Sequence, residues 1–202
     1  MRHICIATED RLSEAVALRL IRDSGRQFCE FHSMGMKGKQ DLRREVRKYL
    51  NMTKTMPVLM ITDLDNDSCP ADLRSHWFRR LSIPCKFLFR VAVRETEAWI
   101  MADREGFASF SNAPLPKVPH APEGLSDPKN ELLRLIRRYS PSQLKREMVA
   151  DRGHGSFKQG SSYNPRLCDF VETGWDLDRA SNTAPSLARA RQRVRELAHN
   201  TP

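Results

Sequence analysis

The stretch Pro57-Val-Leu-Met-Ile-Thr-Asp-Leu-Asp-Asn-Asp67 decides the fold. Its first half is apolar without alternation up to Thr62. That is the pattern of a strand covered on both faces, as in a parallel sheet sandwiched by helices. Its second half carries Asp63, Asp65 and Asp67. Two carboxylates about 4 Å apart repel by about 4 kcal/mol at an effective dielectric near 20. A shared proton, a neighbouring cationic side chain or a divalent cation would offset that repulsion. In an extended segment Asp63 and Asp65 point the same way, and Asp67 joins them if the chain stays extended. The competing reading makes the aspartates turn and cap residues between a strand and a helix.

Working outward, apolar runs at 3–7, 26–32, 57–62 and 86–93 read as strands. Amphipathic segments at 9–23, 39–51 and 70–81 read as helices. The alternation β-α-β-α-β-α-β predicts an α/β fold, a mostly parallel sheet with helices on both faces. Such sheets bind ligands beyond the carboxyl ends of their strands, which is where Asp63 and Asp65 fall. The rest reads as helix over 94–110, a proline-rich link over 114–128, a helix over 127–139 capped by Ser126, more helix from 142, a Gly/Ser-rich loop over 151–165 and a final helix over 185–198. The expected organisation is an α/β core over 1–110 and a C-terminal helical extension over 111–202.

Net charge is +9, from 34 Lys and Arg against 25 Asp and Glu. This balance favours an anionic partner, nucleic acid first. Arg43, Arg44, Arg47 and Lys48 share one predicted helix and are the candidate backbone contacts. Met34 to Gln40 holds glycines that could cradle a phosphate but misses P-loop spacing, and no ATP-binding motif is present. The five cysteines, Cys5, Cys29, Cys69, Cys85 and Cys168, form no CxxC pair and read as small buried thiols in a reducing compartment. With no signal-peptide core and no long apolar run, the expectation is a cytoplasmic protein without a membrane partner.

Further acids sit at matching places. Glu9 and Asp10 follow the first strand, so Glu9 is expected near Asp63 and Asp65. Glu95, Glu97 and Asp103 follow the fourth strand, with Trp99 among them. Oxygen-only ligands suit Mg²⁺ or Mn²⁺. Glu9, Asp63, Asp65 and Glu97 are the candidate metal ligands, and Lys129 is a candidate cationic partner. His154 is a candidate proton shuttle.

The strand–Glu–helix of Ile4 to Ile21 followed by the strand–DxD of Leu59 to Asp67 resembles the TOPRIM domain of topoisomerases, primases and overcoming-lysogenization-defect nucleases. With Arg90 to Asp103, Pro122 to Lys129, a Tyr-Asn pair and the helix Ser186 to Leu197, the chain resembles a family of small bacterial TOPRIM-like proteins. These are often paired with ABC- or AAA-type ATPases in phage defence. The resemblance implies a Mg²⁺ site on Glu9, Asp63 and Asp65, with Glu95, Glu97, Asp103 and Lys129 matching further family motifs. One departure is Asp10, where a glycine is usual. The implied function is a metal-dependent nuclease cutting DNA or RNA, tRNA included, as an antiphage effector, possible as a homo-oligomer. The alternative is a non-catalytic regulatory or nucleic-acid-binding subunit of an ATPase complex.

Overall fold

The computed structural model describes residues 3–25, 28, 30–36, 38–153 and 156–200. In order, the elements are β1 (His3–Thr8), α1 (Arg11–Asp23), β2 (Glu30–Gly35), α2 (Lys39–Arg44), α3 (Val46–Met52), β3 (Val58–Asp63), α4 (Pro70–Phe78) and β4 (Phe87–Ala92). There follow α5 (Thr96–Ala102), α6 (Arg104–Ser111), α7 (Pro128–Tyr139), α8 (Ser142–Met148), β5 (Val149–Gly153) and β6 (Ser156–Gln159). The last are α9 (Tyr163–Thr173), α10 (Leu177–Thr183) and α11 (Pro185–Asn200). Contacts divide the chain into one compact unit of 1–93 with 188–202, and a second of 94–187. The division falls after Val93 rather than after residue 110.

The first unit is α/β. Its four strands are all parallel, in the order β2-β1-β3-β4. Val58 to Ile61 are fully buried, as the unbroken apolar run requires. One face of the sheet, through Cys5, Ala7, Val58 and Met60, packs with Leu42, Val46 and Tyr49 of α2 and α3 and with Leu73 and Trp77 of α4. Helix α1 packs on β1 and β3 through its buried Leu12, Val16 and Leu20 stripe. In the same unit Arg191 and Arg195 of α11 grip Asp23, at 2.7 and 2.9 Å.

The helix expected over 39–51 is two. At Glu45 (φ −89°, ψ 7°) the chain tightens, and Lys48 N–H bonds back three residues to Glu45 C=O at 2.8 Å. Leu42, Val46 and Tyr49 stay buried across the break, but the four basic residues no longer share one helix. The thiols also differ from expectation. Among the described cysteines only Cys5 is buried, and Cys85 is exposed.

The second unit is helical with one hairpin. Here too an expected helix breaks: 94–110 divides at Asp103, whose φ/ψ of −78°/78° is not helical. Asp103 is fully buried and its carboxylate is saturated from within the unit. It accepts Gly106 N–H at 3.1 Å, Asp176 N–H at 2.7 Å and both arms of the Arg179 guanidinium at 2.6 and 3.1 Å. Gly106 is required because a Cβ there would sit 2.1 Å from Asp103 Oδ2. The stretch expected as loop holds the antiparallel β5–β6 hairpin instead, pairing Ala150 with Lys158 and Asp151 with Phe157. Gly153, at φ +81°, provides the positive φ beside its turn. Pro165, the last residue of the expected loop, lies in the first turn of α9, where an amide is dispensable. Helix α7 is capped by Asp127, which accepts Asn130 N–H at 2.8 Å, not by Ser126.

Asp103→Ala should lower stability by about 2–4 kcal/mol in urea unfolding, because it strands the donors now satisfied by one buried carboxylate. Gly106→Ala should destabilise in the same direction. Wild-type midpoints for both variants would show that Asp103 is not an anchor.

Candidate functional site

In the first unit β1 and β3 are neighbours, while β2 lies outside β1 and β4 outside β3. The connections therefore diverge at the carboxyl ends of β1 and β3, which makes that crevice a topological switch point. Glu9 follows β1 directly, and Asp63 ends β3. The Glu9 carboxylate accepts Asp63 N–H at 2.9 Å and the Thr62 hydroxyl. Burial pushes the Glu9 carboxyl above its usual range. The two hydrogen bonds pull it back, Asp65 pushes it up again and Lys39 opposes. Asp10, at the position of the usual glycine, is the N-cap of α1, accepting Ser13 N–H at 2.9 Å and the Ser13 hydroxyl at 2.7 Å.

The aspartates do not continue the strand. Leu64 N–H still reaches Ala92 C=O at 2.9 Å, and Asp67 N–H then folds back to Leu64 C=O at 3.1 Å. Asp65 sits in this turn at φ +51°, a left-handed conformation that few side chains other than Asn and Asp adopt. The two-residue alternation that would place Asp63 and Asp65 side by side stops at Asp63. What joins the acids is Lys39, the first residue of α2. Its ammonium donates to Asp65 Oδ2 and Asp67 Oδ2, both at 2.9 Å, and to Leu64 C=O at 3.1 Å. Partial burial opposes its charge, but the two carboxylates outweigh it and raise the lysine above its usual value. Lys39 was not singled out by sequence, although a lysine soon after the second strand must fall at the same sheet edge as Glu9. Close approach is built in there: a Cβ on Gly35 would lie 2.4 Å from Thr8 O.

In the second unit Glu95 precedes α5, and its Oε2 accepts Lys129 N–H, in the first turn of α7, at 2.8 Å. Glu97 is 2% exposed. The Tyr163 hydroxyl donates to Glu97 Oε1 at 2.9 Å, and the Lys129 ammonium lies 3.4 Å from the same atom. Burial raises the Glu97 carboxyl above its usual range; Lys129 opposes this, Glu95 adds to it, and Tyr163 opposes it. Glu95 and Lys129 line a cleft of about 610 Å³ with Arg152, Phe157 and Lys158. Tyr163 is a further residue of this group that helical periodicity did not isolate, because its stretch reads as a loop.

The remaining candidates fall elsewhere. Asp103 belongs to the Arg179 anchor. Arg43 meets His76, Arg44 pairs with Asp41, and Lys48 lies 3.4 Å from Glu45, so three of the four basic-helix residues have partners within the first unit. Arg47 is exposed and forms no ion pair among the described residues. His154 lies outside the described residues.

Among the described residues no three His, Cys, Asp or Glu side chains group closely enough to hold a metal ion. Mg²⁺ nevertheless commonly takes one or two carboxylates and keeps its waters. Glu9 has the required chemistry: an oxygen donor whose charge is disfavoured by burial and by Asp65, a penalty that a cation reverses. Lys39 already compensates Asp65 and Asp67. Compared with family models, curated proteins and solved structures, the chain gives no significant match. Among the described residues no helix is long and apolar enough to cross a membrane.

The raised Glu97 carboxyl means that folding favours its protonated form. Its contribution to stability is complete below the ordinary glutamate range and is lost as pH rises through the raised value. Urea unfolding between about pH 4 and about pH 8 should show wild type losing stability relative to Glu97→Gln, by at most about 1.4 kcal/mol per pH unit. Parallel profiles would contradict this reading of the buried carboxyl.

Proposed function

We propose that the chain is a TOPRIM-like nuclease that uses Mg²⁺ or Mn²⁺ to cut phosphodiester bonds of DNA or RNA, as the effector of an antiphage pair with an ABC- or AAA-type ATPase. The observation that carries the reading is the half-buried Glu9 carboxylate at the end of β1, hydrogen-bonded to the end of β3 at the switch point, with Asp65 near enough to raise it. Glu9, Asp63 and Asp65 are not gathered closely enough to chelate an ion as they stand, so they would close on the cation as it binds, and it would polarise a phosphodiester and activate water. Asp63 N–H and Thr62 orient the Glu9 carboxylate, so its free lone pairs are fixed before a ligand arrives. Lys39 keeps Asp65 and Asp67 in their turn and brings positive charge to the same edge. In the second unit, Glu97 is a protonatable group held against Lys129, suited to moving a proton at Oε1.

The purified chain, alone and with the ATPase encoded beside it, should cleave nucleic acid only with Mg²⁺ or Mn²⁺. Glu9→Ala or Asp63→Ala should reduce the rate at least about 100-fold. If wild type cuts neither DNA nor RNA under either condition, the nuclease reading fails.

A second reading, a regulatory or nucleic-acid-binding subunit, is favoured by one observation: Lys39 already provides the cation that Asp65 and Asp67 need. The two readings differ in what Mg²⁺ does to stability. On the nuclease reading Mg²⁺ raises the wild-type melting temperature, and raises that of Lys39→Ala by more, since the variant removes the ammonium that now meets two carboxylates. If Mg²⁺ stabilises only Lys39→Ala, the lysine has taken the metal's place and the regulatory reading stands.

A further inference from the structure

We infer that the second unit carries a binding cleft for single-stranded nucleic acid, with Phe157 as a stacking platform for a base and Arg152 and Lys158 as phosphate contacts. The inference rests on the nuclease reading only in giving that reading its substrate class, because binding here does not require cleavage. The cleft, about 610 Å³, lies within the range that holds a small ligand or a nucleotide or two. It is bounded by the first turn of α7 on one side and by the β5–β6 hairpin on the other.

Its charges are arranged unevenly. Lys129 is committed to Glu95 and Glu97, at 4.0 and 3.4 Å. The first amides of α7 are also taken: Lys129 N–H goes to Glu95, and Asn130 N–H to Asp127. The helix end is therefore not the anion site. Arg152 and Lys158 differ, since both are exposed on the hairpin and neither side chain has an ion-pair or hydrogen-bond partner among the described residues. Asp151 pairs with Phe157 and Ala150 with Lys158 in the hairpin register, so the ladder sets these cations and the ring on one short ribbon.

Phe157 lines the cleft as a partly buried ring with the Arg137 guanidinium 5.2 Å from its centroid. An aromatic ring at a cleft is a surface on which unpaired bases stack, and a guanidinium beside it adds a cation–π contribution. Asn130 and Gln159, also in the lining, offer amides that both donate and accept, as base edges require. The oxygens of Glu95 and Asp127 can accept from the exocyclic amino groups of bases, and their charge confines phosphates to the hairpin side of the cleft. A duplex keeps its bases stacked inside and cannot present one to Phe157, whereas a single strand can.

Fluorescence anisotropy with a labelled 12-nucleotide single-stranded DNA, its RNA counterpart and the corresponding DNA duplex, in EDTA so that nothing is cut, tests this on the full chain. Both single strands should bind at least about ten-fold more tightly than the duplex. Arg152→Ala with Lys158→Ala should weaken binding and flatten the dependence of log affinity on log salt by about 1.4, two phosphates at about 0.7 each. Phe157→Leu, which keeps an apolar side chain in the hairpin, should weaken binding about ten-fold with the salt slope unchanged. Lys158→Gln alone should flatten the slope by about half as much. If the wild-type chain binds single strands in this way but cuts nothing when Mg²⁺ is restored, the catalytic reading fails and the binding cleft stands. The inference is overturned if the double variant keeps the wild-type affinity and slope, if the duplex binds as tightly as the single strands, or if a polyglutamate peptide competes with equal strength.

Discussion

Carboxylates gathered at strand ends and helix starts repel one another, and in each unit a lysine ammonium holds the acidic group together. In the first unit Lys39 bridges Asp65 and Asp67 while Glu9 hydrogen-bonds to β3. In the second Lys129 faces Glu95 and Glu97. Such pairs attract strongly where water is partly excluded, but each partner loses hydration, so the geometry must be close and the spare lone pairs filled. In the second unit Tyr163 and Lys129 N–H fill them on Glu97 and Glu95.

This compensation shapes the backbone. Asp65 holds a left-handed conformation because the turn must end β3 and still deliver two carboxylates to one ammonium. Gly35 packs where no Cβ fits, so the end of β2 closes on Thr8 at the end of β1. Asp103 shows the other use of a buried acid. It gathers two backbone amides and a guanidinium, and no lone pair is left for a ligand.

The sheet was legible because burial on both faces leaves an unbroken apolar run, and 57–62 is such a run. Strand order was not, because each strand's composition is compatible with several neighbours; hydrogen-bond register sets β1 beside β3. The breaks at Glu45 and Asp103 were hidden for a related reason. Apolar periodicity continues across both, and only tertiary partners such as Arg179 make the break favourable. The hairpin at 149–159, whose first residue reads as helix and whose stretch from 151 reads as loop, was hidden because its glycines and serines mask short strands exposed to solvent on most positions.

Residue order alone thus settled that a parallel α/β sheet forms and that Glu9 and Asp63 lie at its carboxyl edge, since burial and strand direction are local and patterned. Which cation meets which acid was decided only in three dimensions. Lys39 and Asp65 are 26 residues apart, Glu97 and Tyr163 are 66 apart, and Asp103 and Arg179 are 76 apart. No periodicity links positions so distant, because charge acts through space and ignores the chain between.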